Sequence, residues 1–208
     1  MAYLFIDSTY DITLGILGDD LGWIRFETFA NQKASAIIQK ETFNLLSNSK
    51  MRMDDLKGVV TVAGPGFYTG LRLSEGFADV LIFSGKEHLS FLSYEIPRLT
   101  GIPRGTWMTK AYRGEYFFHL WDGAEVRNEL VAAKDLEGFM TSVDRSNFYI
   151  HSDAAIDDFS RKLLDQPLTT SDLLRHHSKQ IFSALLRSKS KVDSYYFRAP
   201  EDEFKVSV

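Results

Sequence analysis

An α/β fold of two similar halves is predicted by three features of the 208-residue sequence. Each half opens with short strand-like runs and continues into helical periodicity, the order expected of sheets covered by helices. The run Gly58 to Ala63 (GVVTVA) is β-branched and does not alternate, which marks a strand covered on both faces. Two helical segments, 33–47 and 70–84, carry apolar residues on more than one side. A lone surface helix needs only one such stripe.

The elements follow in chain order. Tyr3 to Asp7 is a short apolar strand, Ser8 to Asp11 supplies turn chemistry, and Ile12 to Leu17 alternates as a second strand. After the Gly18-Asp19-Asp20 turn, Trp23, Arg25 and Glu27 divide from Ile24, Phe26 and Thr28 onto opposite faces of a third strand, giving a meander. On the helix from Lys33 to Ser47, Ala34, Ile38 and Leu45 share one face and Ala36, Phe43 and Leu46 another. The second helix runs to about Ser84. Leu73, Phe77, Val80 and Leu81 form one of its apolar faces, Leu71, Ala78 and Ile82 a second, and Arg72, Glu75 and Asp79 a charged stripe.

Leu89 to Leu92 reads as a weak strand and Tyr94 to Leu99 as a helical turn interrupted by Pro97. The punctuated stretch Gly101 to Gly105 then divides the chain into subdomains 1–100 and 101–208. Strands follow at Trp107–Ala111, Glu115–Trp121 and Glu125–Val131, with a short helix over Ala133–Met140. Phe148–His151 is a strand, Ala154–Leu164 a helix, and Ser171–Leu186 a longer helix with Leu173, Leu174, Ile181, Leu185 and Leu186 inward. The tail carries Tyr195-Tyr196-Phe197-Arg198.

Composition narrows the chemistry. With 44% hydrophobic and 25% charged residues, the chain is an ordinary globular sequence rather than a disordered one. It has no Cys, which excludes disulfide frameworks, thiol catalysis and Cys-based metal sites. No apolar run approaches membrane-spanning length and no secretory leader is visible at Met1, so a cytoplasmic location is expected. The net charge of −4 is shared evenly, −2 in residues 1–105 and −2 in residues 106–208, and no basic stripe marks an independent nucleic-acid binder.

Catalytic signatures are sparse. Gly64-Pro65-Gly66, between a buried strand and a helix start, could cradle an anion, but no GxxxxGK[ST] follows; the favoured reading is a turn passing close to neighbouring backbone. The histidines 88, 119, 151, 176 and 177 include no i, i+4 pair, so no metal site is expected. No serine lies in a GxSxG elbow. The acid pairs Asp19-Asp20, Asp54-Asp55 and Asp157-Asp158 read as caps and solubilising charge, and Lys110, Arg113 and Glu115 as parts of a plain hairpin. Apolar helix surface exceeds catalytic apparatus, which favours a partner-binding protein.

The run Gly64-Pro65-Gly66-Phe67-Tyr68-Thr69-Gly70-Leu71-Arg72 resembles the GPGSFTGLR signature of the bacterial TsaB (YeaZ) family, with Phe67-Tyr68 where Ser-Phe is usual. Weaker matches follow the same order: Leu4-Phe5-Ile6-Asp7-Ser8 with the opening LxIDT strand, Ala111 to Tyr116 with the DAR-x-GE-[VI]-Y hairpin, and Tyr195 to Arg198 with the terminal YLR. Lys110 stands where the family has Asp. The resemblance implies a two-subdomain actin-like ATPase (ASKHA, ribonuclease H-like) fold with a reduced second subdomain. Actin-like ATPases carry D-x-G-[ST] in the first hairpin; here Asp7-Ser8-Thr9-Tyr10-Asp11 lacks the glycine, and Tyr10 and Asp11 would crowd and repel a phosphate.

The family role implied is that of a non-catalytic subunit that pairs with the transferase TsaD, supports assembly with the ATPase TsaE, and meets tRNA only within that complex, for N6-threonylcarbamoyladenosine modification. The interface implied lies on the first two helices, at Ala34, Ile37, Ile38, Glu41, Phe43 and Leu45 and at Leu71, Leu73, Phe77, Val80 and Leu81. In the absence of TsaD the same helices would form a homodimer. No cofactor is expected on the isolated chain, with ATP or ADP confined to a joint interface with TsaD. The alternative is an active nucleotide-binding phosphotransferase or peptidase-like hydrolase of the same fold.

Overall fold

A computed structural model describes residues 2–152 and 167–197. The helix expected over Ala154–Leu164, the pair Asp157-Asp158 and Arg198 lie outside the described residues. The first sheet takes β1 (Ala2–Asp7), β2 (Ile12–Leu17), β3 (Trp23–Phe29), β4 (Leu56–Val62) and β5 (Glu87–Phe91) in the order β3-β2-β1-β4-β5. The meander β1–β2–β3 is antiparallel, and β4 and β5 add in parallel beside β1. Helix α1 (Ala34–Asn48) connects β3 towards β4, and α2 (Tyr68–Phe83) connects β4 to β5.

The second sheet repeats this plan. Its strands β6 (Arg104–Lys110), β7 (Glu115–Asp122), β8 (Glu125–Ala132), β9 (Phe148–Ile150) and β10 (Leu168–Thr169) stand in the order β8-β7-β6-β9-β10. Again the meander is antiparallel and the two added strands are parallel. A short α3 (Ile96–Leu99) joins the sheets, α4 (Leu136–Ser142) follows β8, and α5 (Thr170–Ser188) follows β10. Helix α5 starts where Thr169 caps it: the Thr169 hydroxyl accepts from Asp172 N at 3.0 Å and donates to Asp172 Oδ2 at 2.7 Å.

Strand alternation sorts the side chains into three cores. Leu4 and Ile6 of β1 face α1 and α2, meeting Ile38, Leu45, Leu46, Ala78 and Leu81. Tyr3 and Phe5 face the other way, into a central core with Leu173, Leu174, Ile181, Phe182 and Leu185 of α5 and with Trp107, Phe117 and Trp121 of the second sheet. Met108, Tyr116 and Phe118 point outward against Leu136 and Met140 of α4. The elements expected within the described residues are present, and many of the aromatics prove to be central core, where Phe5, Trp23, Phe26 and Phe182 form edge-on, tilted and stacked contacts.

One face assignment is corrected. Trp23 and Phe26 point to the same side of β3 because the register shifts between Ile16 and Leu17: Ile16 pairs with Arg25 but Leu17 with Trp23, leaving Ile24 as the extra residue. Gly15 makes room for this. A Cβ there would lie 2.4 Å from the Trp23 ring, which packs over the strand and donates from Nε1 to Leu174 O at 2.8 Å.

Candidate functional site

The glycine run lies directly on the first hairpin. A Cβ at Gly66 would fall 2.5 Å from Thr9 Cβ, and one at Gly70 would fall 1.9 Å from the Ser8 carbonyl oxygen, so both positions admit only glycine without backbone movement. Phe67 N donates to Thr9 O at 3.0 Å, and the Ser8 hydroxyl donates to Gly70 O at 2.7 Å and contacts Ser74 Oγ. Gly64 adopts φ +115° with the Tyr195 carbonyl oxygen 2.5 Å from where a Cβ would sit. Close backbone passage therefore occupies this turn, as read from the sequence. Of the motif residues, Gly64, Pro65, Gly66, Gly70 and Leu71 are buried, while Thr69 and Arg72 are exposed.

Beneath the glycines, Asp7 is capped by its own hairpin. Thr9 donates to Asp7 Oδ1 from its backbone N at 2.9 Å and from its hydroxyl at 2.5 Å. His151 Nε2 lies 2.8 Å from that hydroxyl. Because the single Thr9 hydroxyl proton goes to the carboxylate, Nε2 must be the protonated ring nitrogen and donate to Thr9 Oγ1. Burial pushes the His151 pKa down, opposed by the charges of Asp7 and Asp11. The ring of Tyr10 covers the group, 5.2 Å from His151 and 4.9 Å from Phe67. These side chains seal the seam between β1 and the end of β9.

Several of the other polar candidates make local contacts. Asp55 Oδ2 accepts from Arg52 N at 2.7 Å, Asp20 Oδ1 from Gly22 N at 3.0 Å, and His176 Nδ1 bonds the Asp172 carbonyl at 2.8 Å on an exposed helix face. Lys110 pairs with Tyr116 across the β6–β7 hairpin. Among the described residues no cluster of three His, Cys, Asp or Glu side chains could hold a metal ion.

The surplus apolar surface lies between α1 and α2. There a groove of about 450 Å³ is lined by Ile38, Phe43, Leu73, Phe77, Val80 and Leu81 together with Ser35, Gln39, Met53, Arg72 and Gly76. Phe43 is 50% exposed, Val80 66% and Phe83, one turn beyond, 95%. The expected interface narrows accordingly. Leu45 and Leu71 are buried in the monomer, and Ile38 and Leu81, also buried, form the floor of the groove and not its rim. Ala34, Ile37 and Phe77 are half-buried against the core below. Glu41 is half-buried, held by Lys40 at 3.5 Å and by Asn44 at 2.9 Å. The α2 face read as Leu73, Phe77, Val80 and Leu81 lines the groove together, with Leu81 buried at its base and Val80 exposed at its rim. Gly76 and Met53 are groove residues that the sequence reading missed. An isolated glycine inside an apolar helix was the available signal, since it removes the side chain from the groove floor.

Comparison with known proteins bears on this arrangement. No protein-family model matches the chain. The tRNA threonylcarbamoyladenosine biosynthesis protein TsaB of Bacillus subtilis is 31% identical over 85 residues, which span 40% of this chain and 37% of that protein. YeaZ from Pseudomonas aeruginosa superposes with a TM-score of 0.60 at 14% identity, covering 90% of this chain and 93% of that one. The chain is thus similar in sequence to TsaB over that segment and similar in fold to YeaZ over most of its length. A second Pseudomonas aeruginosa structure, an uncharacterized protein with similarity to peptidase YEAZ, gives a TM-score of 0.62 at 14% identity over 93% of this chain and 95% of that one. Like these YeaZ structures, the chain has the two-sheet actin-like ATPase fold. Among the described residues no helix is long and apolar enough to cross a membrane.

Proposed function

We propose that this chain is a TsaB-type subunit, without catalytic groups of its own, that pairs with a TsaD protein for N6-threonylcarbamoyladenosine modification of tRNA and supports assembly with TsaE. The observation that carries the reading is the apolar groove between α1 and α2, open at a rim that includes Phe43 and Val80. A helix laid into such a groove buries its apolar face and adds to the helix pair already there. A stable interface buries about 800 Å² per partner, an area two adjacent helices can provide. The hairpin at Asp7–Asp11 supports the same reading, because glycine backbone and the Tyr10 ring pack over the position where an actin-like ATPase grips phosphate.

Calorimetric titration with TsaD tests the proposal. The unsubstituted chain binds, and Val80→Asp, at an exposed position, abolishes binding without lowering the melting temperature. Gly76→Leu gives the same loss by filling the groove, since a Cβ at Gly76 meets nothing within 4 Å. Without TsaD, self-association through this face disappears in the same variants. Full binding by both variants would remove this surface, and tight uptake of magnesium–ATP by the isolated chain would favour the phosphotransferase alternative.

A further inference from the structure

Helix α2 presents two neighbouring stripes. Leu73, Phe77 and Val80 face the groove, while Tyr68, Arg72 and Glu75, at i, i+4 and i+7, meet the C-terminal segment 190–197. That segment has no regular secondary structure and is tied down as a strap. The Ser90 hydroxyl donates to Val192 O and accepts from Val192 N, both at 2.8 Å; the Ser190 hydroxyl donates to Ser90 O at 2.9 Å; and Tyr195 N donates to Ala63 O at 2.8 Å. Its far end reaches α2, where Ser194 bonds Glu75 Oε1 and the Tyr196 ring lies 5.2 Å from Tyr68.

Arg72 belongs to both stripes. Its guanidinium carbon sits 5.4 Å from the Tyr68 ring and 5.8 Å from the Tyr196 ring, and Nη1 donates to Glu75 Oε2 at 3.0 Å. It also lines the groove, where every other lining side chain is apolar or uncharged. A guanidinium has five donors, and the ion pair with Glu75 and the hydrogen bond with Tyr68 leave part of the fork able to take a second carboxylate. Being held by two rings and an acid, it loses less side-chain freedom on binding than a loose surface arginine would.

We propose that Arg72 is the specificity-determining cation of the groove, taking a carboxylate from the edge of the partner helix that fills it, and that Tyr196 is a positioning residue that presents Arg72 from the strap. The inference rests on the partner reading above and names the chemistry that partner must offer: an apolar helix face flanked by Asp or Glu. A lysine at that edge would be rejected by like charge.

The test is titration of TsaD with the full chain at low and high salt. Arg72→Gln is expected to weaken binding about tenfold and to flatten its salt dependence, as loss of a partly desolvated arginine contact does. Tyr196→Ala is expected to weaken it several-fold with the salt dependence also reduced, whereas Tyr196→Phe, which keeps the ring, binds like the unsubstituted chain. Unchanged affinity and salt dependence in Arg72→Gln would overturn the inference, and if Val80→Asp still abolished binding the partner reading would stand without it. Failure of the unsubstituted chain to bind would overturn both. Should Tyr196→Ala not fold, Arg72→Gln decides alone, because its side chain is exposed and supports no core.

Discussion

Two glycines on one helix show how little residue type says without its surroundings. At Gly70 a methyl group would strike the Ser8 carbonyl, a backbone atom that cannot swing aside, whereas at Gly76 it would enter open space. Alanine improves helix propensity at either site by about 1 kcal/mol. Gly76→Ala should therefore stabilise the chain by about 0.5–1 kcal/mol, and Gly70→Ala should destabilise it by about 2–3 kcal/mol because the clash outweighs the propensity gain. Thermal melts of the two variants check both signs; a shift in the same direction for both would refute the packing of α2 on the hairpin. Gly70 stood out through the glycine motif that contains it, but the approach to Ser8 is a contact across 62 residues that periodicity cannot report.

At the scale of elements, legibility followed regularity. The buried run of β4 and the helical periods of 33–47 and 70–84 were readable because each element imposes its own spacing on apolar residues. A face assignment failed where spacing was broken, by the shifted register of β3. The strap was unreadable as an element for the same reason: its order comes from distant groups, Ser90 above all. Ser90→Ala removes both hydrogen bonds to Val192 and leaves a half-buried donor and acceptor there to be met by water, at a cost of about 1 kcal/mol. The expected result is faster proteolysis near 190–197 with the sheets intact, measured by limited digestion with mass spectrometry. Cleavage no faster than in the unsubstituted chain would show that Tyr195 and Tyr196 hold the strap without Ser90.

Titration is a property of the whole molecule because its buried groups lie in separate places. His88 on β5, His119 on β7 and His151 beyond β9 all have pKa values lowered, first by burial. In each case the unfolded chain binds the proton more readily, so stability is fully present above the ordinary histidine range and declines as the pH falls through it. On the alkaline side burial raises Tyr94 to about 12 and Tyr10 upward as well, so the folded phenols stay protonated while unfolded ones ionise, and stability declines again above about pH 10. Denaturant midpoints across pH should trace a plateau between these limits, and His151→Gln should flatten the acid limb. An acid limb unchanged in that variant would remove His151 from the account.

The repeated strand order in the two sheets invites the view that residues 1–100 form a separable unit, and the core argues against that. Tyr3, Phe5, Val60, Val62 and Phe91 line one face of the first sheet, and besides Tyr94 and Ile96 what packs in that core is α5 and the second sheet, beyond residue 100. A fragment 1–100 would leave that face in water, several hundred square ångströms of apolar surface of the kind monomers do not expose. It should therefore be aggregation-prone and bind an apolar dye, and co-expression with 101–208 should restore a soluble pair that melts cooperatively. The duplication was visible in the sequence because each half repeats strands before helices; the sharing of one core was not, because it depends on which side of each strand finds a partner. A soluble monomeric 1–100 fragment with a cooperative melt would show that α1 and α2 alone suffice to hold the first sheet, and the central core would then be an interface between two domains.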